Sequence, residues 1–421
     1  MSERHVGPIQ GMVRRLVRQI TDMGFYPEVH QVDEIDGSRV LVGRQWLLSF
    51  AGNDYLGNLG RHGRVVEASV AALRKFGNGS RGSRLTAGTL EPHVQLERRI
   101  AAFKGDEDAI VFSTGFNANE GLLLALACVT LKSVRSLLSG NETPLPSLDI
   151  ISDELIHASI ADGVAVCSSR IFDRGAKLSR FKNNDMGELE RVLGSSDSEH
   201  KIVMVDGVYS LHGRVAQLDT IIALARKYGA EVYVDDAHGV GVLGATGRGV
   251  AEMFGVCREV DFPIGTLSKA LCGAGGYITG DRELIQYLRV AVRSYMYNTA
   301  MPACIAAGLV ATFDVIEEED WRRVRVNQSA LRVRDELTRA GFDLLGSTTQ
   351  IVPVGFRSSL NAAKAAAVLM DNGIYAPAYR PPAVPEVDSN VRVNITADHS
   401  DSDLDQVVSC LIKVGHDLAV I

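Results

Sequence analysis

Between residues 109 and 280 short runs rich in Val and Ile recur: AIVFS, DIIS, KIVMVDG, AEVYVDD, DFPIGT and GGYITG. Several are separated by stretches with apolar residues at helical spacing, such as LDTIIALARKY over 218–228. Uninterrupted apolar runs of this length suit strands buried on both faces. Helices between them act as crossover connections, so the expected fold class is α/β, with a large, mostly parallel, doubly covered sheet. After Met301-Pro302 the pattern changes. Helical stretches (303–318, 321–340, 361–373) then alternate with QIVPVGF and VRVNI. We therefore expect a helix-and-hairpin segment over 1–52, a large domain over 53–300 and a smaller C-terminal α/β domain over 301–421. The turn-rich insertion 132–148 reads as a solvated loop, with a lid or partner contact as the alternative.

Open parallel sheets bind ligands at the carboxyl ends of their strands. Here those ends deliver Ser113-Thr114-Gly115, Ser152-Asp153-Glu154, the run 206–210 (DGVYS), the run 235–239 (DDAHG) and the run 265–269 (GTLSK) to one edge. Composition narrows the ligand. The net charge is −7 with acids and bases interspersed, which argues against nucleic acid as a partner. The longest apolar stretch, Gly121 to Leu131, is too short for a membrane span. Six scattered cysteines without a CxxC pattern read as reduced thiols, and no apolar leader follows the N-terminal charges, so a cytoplasmic location is expected. Glycine is in excess, at 41 residues, where about 7% is usual. Such an excess belongs where backbone turns sharply or approaches a ligand.

Two glycine patterns imitate a dinucleotide fingerprint. Gly77-Asn78-Gly79-Ser80-Arg81-Gly82 follows a helical stretch where a strand is required. The run 239–244 (GVGVLG) follows a strand, but Asp235, Asp236 and His238 stand where a pyrophosphate needs bare backbone. A nicotinamide-dependent oxidoreductase is therefore the weaker alternative. Lys269 is followed by Ala270, so there is no Walker motif. Asp235 and His238 lack a third ligand at metal-binding spacing, and no metal is expected.

Lys269 closes a strand of buried character and precedes Ala270, Leu271 and Cys272. An amine in that setting loses solvation, lowers its pKa and can condense with an aldehyde. With Asp235 on a neighbouring strand end, it matches the needs of pyridoxal phosphate: a lysine for the aldehyde and a carboxylate under the ring nitrogen. Ser113-Thr114-Gly115-Phe116-Asn117 opens an apolar helix and offers backbone amides to a phosphate, with Thr266 and Ser268 as hydroxyl donors. His157, just past another strand end, reads either as a helix cap or as a ring stacked on the cofactor.

These residues belong to a recognisable combination: GNGSRGSRLTAGT (77–89), FSTGFNAN (112–119), HASIADG (157–163), VDGVYSLHG (205–213), VDDAHGVGVLG (234–244), GTLSKAL (265–271) and YMYNTAMP (295–302). The chain resembles the α-oxoamine synthases, pyridoxal-phosphate enzymes of fold type I, over nearly its whole length. The segments around DGVAVCSSRI and VGHDLAVI are similar to 2-amino-3-ketobutyrate CoA ligases, whereas FSTGF and RPPAVP look more like 8-amino-7-oxononanoate synthases and serine palmitoyltransferases. The resemblance implies that Lys269 holds the cofactor aldehyde, Asp235 its ring nitrogen and His238 its phenolic oxygen. It places His157 over the ring, Ser210 beside it, Gly115 and Phe116 in main-chain contact, and Thr266 at the phosphate. Asn298 and Thr299 would reach that phosphate from a second copy, implying a homodimer. Asn53 and Arg392 would hold the amino-acid carboxylate, with Arg380 as a second arginine. The implied reaction joins a small amino acid to an acyl thioester, from CoA or an acyl-carrier protein, and yields an α-amino ketone, CO2 and free thiol. Lys269 acts in it as general base. An aminotransferase is the nearest alternative. Ser83, where glycine-restricted members have threonine, leaves room for alanine or serine. His212 departs from the acidic or apolar residue usual in that motif, and the 132–148 insertion is absent from compact members; both leave room for a specialised-metabolite enzyme fed by a carrier protein.

Overall fold

The computed structural model describes residues 7–23, 29–127, 147–168 and 176–421. Of the turn-rich segment 132–148, residues 132–146 lie outside these. The chain begins with an amphipathic helix, Pro8–Asp22, and an antiparallel meander of β1 (Val32–Asp36), β2 (Arg39–Val42) and β3 (Gln45–Ser49). The turn between β1 and β2 carries Gly37 at φ +53°.

The dominant sheet has seven strands: β4 (Asp108–Phe112), β5 (Leu148–Asp153), β6 (Lys177–Phe181), β7 (His200–Asp206), β8 (Glu231–Asp235), β9 (Phe262–Thr266) and β10 (Gly276–Gly280). Their spatial order is β4-β10-β9-β8-β7-β5-β6. From β9 through β6 every pairing is parallel, and β10 runs antiparallel to both its neighbours. The sheet is therefore mixed but mostly parallel, and its class is α/β as expected. Successive residues of each strand enter opposite layers. Ile202 and Met204 of β7 join one apolar cluster with Leu122, Ile160 and Ile285, while Val203 and Val205 join the other with Leu189 and Ile221. A Val or Ile moved from water to such a site contributes about 1.5–3 kcal/mol, which explains the lack of polar alternation in these runs. β6 escaped the sequence pattern for the converse reason. It is an edge strand, and KLSRF buries only its final Phe181.

A second sheet has β11 (Ile351–Gly355), β13 (Ala378–Tyr379) and β14 (Asn390–Asn394) in the antiparallel order β11-β14-β13. The short β12 (Ile374–Tyr375) instead pairs parallel with β3, opposite Leu48 and Ser49, so the N-terminal meander and the C-terminal region share one sheet. That register carries the chain from β3 directly into Asn53, alongside β14 and Arg392.

Candidate active site

The carboxyl ends of β7, β8 and β9, with the loops after β4 and β5, enclose a cavity of ≈ 280 Å³ lined by Gly115, Phe116, His157, Asp235, His238, Thr266, Ser268 and Lys269 among others. Each of these was named from the sequence. Gly115 and Phe116 open the helix Gly115–Leu126, whose N-cap Thr114 accepts a hydrogen bond from Asn117 N–H at 3.0 Å. A Cβ on Gly115 would stand 3.3 Å from Thr266 Oγ1, so the small residue brings helix start and strand end together. Thr266 donates to the Gly275 carbonyl or shares its proton with Ser268 Oγ, 2.8 Å away.

Asp235 is fixed at both oxygens. Oδ1 accepts the Ala237 N–H at 3.0 Å and Oδ2 accepts Asn119 Nδ2 at 2.7 Å. Asn119 also donates to Ser159 Oγ and accepts from the buried Tyr233 hydroxyl at 2.6 Å. The network continues, for Ser159 Oγ lies 2.7 Å from His157 Nδ1. His157 is the N-cap of the helix Ala158–Cys167, the first of its two readings, and it also lines the cavity. Its backbone N–H donates to Asp206 at 3.2 Å, the carboxylate that pairs with Asp235 across β7 and β8.

Burial dominates the electrostatics. It depresses Lys269 below the usual lysine value, against the opposing pull of Asp235 and Asp206. His238 is pushed well down by burial, then by Lys269 and Arg392, and His157 is lowered by burial against the opposing pull of Asp235, which favours the neutral form of both rings. Asp206 is driven well above the carboxylate range by burial and by Asp235. Asp236 points away from the cavity into a nest of glycines, where added Cβ atoms on Gly207, Gly239 and Gly249 would meet its carboxylate oxygens at 2.6, 2.0 and 1.6 Å. Gly249 also needs φ +102°. This nest accounts for Gly239 of the second apparent dinucleotide fingerprint by packing, while added Cβ atoms on Gly241 and Gly244 would meet Ala270 and Glu252.

A second constellation adjoins the cavity. Arg392 donates from Nη1 to the Ser210 carbonyl at 2.8 Å and from Nη2 to Asn53 Oδ1 at 3.3 Å. Its guanidinium carbon lies 4.6 Å from the centre of the Tyr379 ring. Arg380 follows Tyr379 and begins the turn whose Ala383 N–H bonds its carbonyl. Asn53, Ser210, Arg392 and the backbone of Arg380 are thereby gathered. Ser83, Asn298 and Thr299 lie elsewhere, against the turn between β4 and the helix Gly115–Leu126. Ser83 bridges Thr299, Ser113 Oγ donates to the Thr299 carbonyl at 2.8 Å, and Asn298 Nδ2 reaches Asn117 Oδ1 at 3.4 Å. None of the three lines the main cavity within its own chain. His212 is buried 3.7 Å from Asp388, on the stretch that follows Arg380.

Sequence reasoning assigned no role to Asn119, Ser159, Asp206 or Tyr55, although Asp206 opens a run it placed at this edge. The first two carried a usable signal, since polar residues inside apolar helices must find partners. Asp206 ends a buried strand as Asp235 does. Among the described residues there is no cluster of three or more metal-binding side chains and no helix long and apolar enough to cross a membrane.

A mostly parallel sheet presenting a depressed lysine and a doubly bonded aspartate at adjacent strand ends defines an enzyme architecture of fold type I. The aminotransferase class I and II family model matches residues 47–411. The 8-amino-7-oxononanoate synthase of Geobacter sulfurreducens is 37% identical over 408 residues, covering 96% of this chain and 98% of that one. The serine palmitoyltransferase of Bacteroides thetaiotaomicron is 35% identical over 400 residues, covering 94% and 95%. Among solved structures, Sphingomonas wittichii serine palmitoyltransferase superposes with a TM-score of 0.87 at 28% identity over 100% of both chains, and a serine palmitoyltransferase holding PLP matches equally well. The chain belongs to the aminotransferase class I and II family, in its α-oxoamine synthase branch.

Proposed function

We propose that this protein binds pyridoxal phosphate and condenses a small amino acid (glycine, alanine or serine) with an acyl thioester, releasing CO2, free thiol and an α-amino ketone. The observation that carries the reading is the joint placement of Lys269, Asp235, His157 and His238 around one cavity. The donor set suits the cofactor. Asp235 is held still by Asn119 and Ala237 for a protonated ring nitrogen, and the helix start at Gly115 and Phe116, with Thr266 and Ser268, offers a phosphate seat. Lys269 would hold the aldehyde, His238 the phenolic oxygen, and His157 would cover the ring. When bound, the cofactor supplies an electron sink for the charge left on the substrate's α-carbon.

The remaining work falls to the chain. Arg392 and Asn53 bind and orient the amino-acid carboxylate, with Arg380 as a second cation. Lys269 Nζ, disfavoured as an ammonium by burial, takes the α-proton as general base and later returns it. Asp206, opposite Asp235 on the neighbouring strand, is pushed toward its neutral form by burial and by that neighbour. A homodimer would bring Asn298 and Thr299 of a second copy toward the phosphate seat, and sedimentation at working concentration tests it. We place the enzyme in the cytoplasm, where its cysteines stay reduced.

The test is a screen of glycine, alanine and serine, each with short and long acyl-CoAs, following thiol release. Thiol release dependent on the amino acid and lost in Lys269→Ala supports the proposal. Silence with every CoA but turnover with acylated carrier protein identifies the donor as carrier-bound. Amino-group transfer to a keto acid without thiol release would make the protein an aminotransferase and overturn the condensation.

A further inference from the structure

Tyr55 takes no part in the reaction outlined above, yet it sits between the two halves of the site. Its side chain is fully buried, and its hydroxyl lies 2.7 Å from His238 Nδ1 and 3.1 Å from Asn53 Oδ1. The phenol has one proton and two candidate acceptors. Asn53 Oδ1 already accepts from two groups that can only donate, Arg392 Nη2 at 3.3 Å and Asn394 Nδ2 at 3.2 Å. Those two donors saturate the amide oxygen's lone pairs. His238 Nδ1 has no other partner among the hydrogen bonds of the described residues, and it is the nearer acceptor. The Gln350 amide donates to the His238 carbonyl at 2.8 Å, and its side chain also engages the Tyr55 hydroxyl as a donor, which leaves the phenolic proton free for the imidazole.

We propose that Tyr55 is the positioning residue that donates to His238 Nδ1 and so fixes the imidazole in the tautomer protonated at Nε2. A neutral ring carries one N–H, and the hydrogen bond on one nitrogen decides where it sits. With Nδ1 engaged as an acceptor, Nε2–H is a donor on the ring's other side, the form needed to stabilise an anionic oxygen in the cavity. Burial supports this distribution, since it pushes the Tyr55 phenol well up and His238 well down, leaving both neutral. The Asn53–Arg392 pair thereby acts on His238 through Tyr55: by occupying Asn53 Oδ1 it leaves the phenolic proton to the imidazole. The consequence for chemistry rests on His238 facing the cofactor, as proposed above, but the tautomer itself does not.

The experiment is 15N NMR of histidine-labelled protein without cofactor, with His238→Gln used to assign the resonance. His238 should show an acceptor-type Nδ1 and a protonated Nε2 in the wild type. Tyr55→Phe keeps the ring and removes only the hydroxyl, and it should shift the Nε2–H to Nδ1–H ratio roughly 2- to 10-fold toward Nδ1–H. In pyridoxal-phosphate-loaded Tyr55→Phe, the pH titration of the visible band should move relative to wild type. A protonated Nδ1 in the wild-type protein, or a ratio unchanged by Tyr55→Phe, would overturn the proposal. The wild-type spectrum alone decides the tautomer if the variant fails to fold. Failure of the protein to bind pyridoxal phosphate would remove the condensation reading while leaving this result standing.

Discussion

Asn119 offers the sharpest quantitative test, because three hydrogen bonds converge on one buried amide. Asn119→Ala removes the 2.7 Å bond to the Asp235 carboxylate, the 2.8 Å bond to Ser159 and the acceptor of the Tyr233 hydroxyl. A hydrogen bond to a charged group contributes ~1.5–3 kcal/mol, and a buried donor left without a partner costs a further ~1–3 kcal/mol. Tyr233 is fully buried, so its hydroxyl has no recourse to solvent. The apoprotein should therefore lose about 3–5 kcal/mol of stability in urea unfolding. The two parts separate in a double-mutant cycle. Tyr233→Phe alone should destabilise, but in the Asn119→Ala background it should recover ~1–3 kcal/mol by removing the orphaned hydroxyl. The cofactor reports the other part. An Asp235 released at Oδ2 should bind pyridoxal phosphate roughly tenfold or more weakly, followed by absorbance titration. Additive losses in Asn119→Ala/Tyr233→Phe would refute the network as drawn, and unchanged cofactor affinity would refute its role in orienting Asp235.

Three further outcomes are expected. Burial pushes the Asp236 carboxyl up to about 7, against the opposing pull of Lys104 and the Val250 N–H. A raised folded value means that its contribution is complete below the unfolded value of 3.8 and lost as pH rises through about 7, so wild-type stability should fall relative to Asp236→Asn across that window in urea melts. Lys269 has the opposite sign. Its folded value is lowered from 10.5, so the apoprotein should gain stability as pH rises toward 10.5, a slope that Lys269→Met should lack along with any visible cofactor band that borohydride can bleach. Arg392→Lys replaces a fork spanning Ser210 and Asn53 with a single ammonium, and should raise the amino-acid KM roughly 10- to 100-fold with a smaller change in kcat in steady-state kinetics.

What the sequence made legible follows from how each feature is encoded. The sheet was readable because its strands are buried on both faces, and continuous Val/Ile runs admit few other folds. β6 was not, because an edge strand needs only Phe181 indoors. The same division runs through the site. Lys269, Asp235 and His157 were found because each follows a recognisable strand end. Asp206 occupies an equivalent end on β7, but a second acid beside Asp235 makes physical sense only when the pairing across β7 and β8 is known. Asn119 and Ser159 lie inside apolar helices, where the sequence shows that a partner is owed but not which one. Tyr55 is the extreme case. It meets His238 across 183 positions of chain, through a junction made by β3, β12 and β14 that no local pattern records. Residues that touch reactants are bound to motif positions by chemistry. Those that orient them are bound only by packing, so the orienting shell is where a structure adds most to a sequence, and where substitutions should alter protonation and geometry before they abolish turnover.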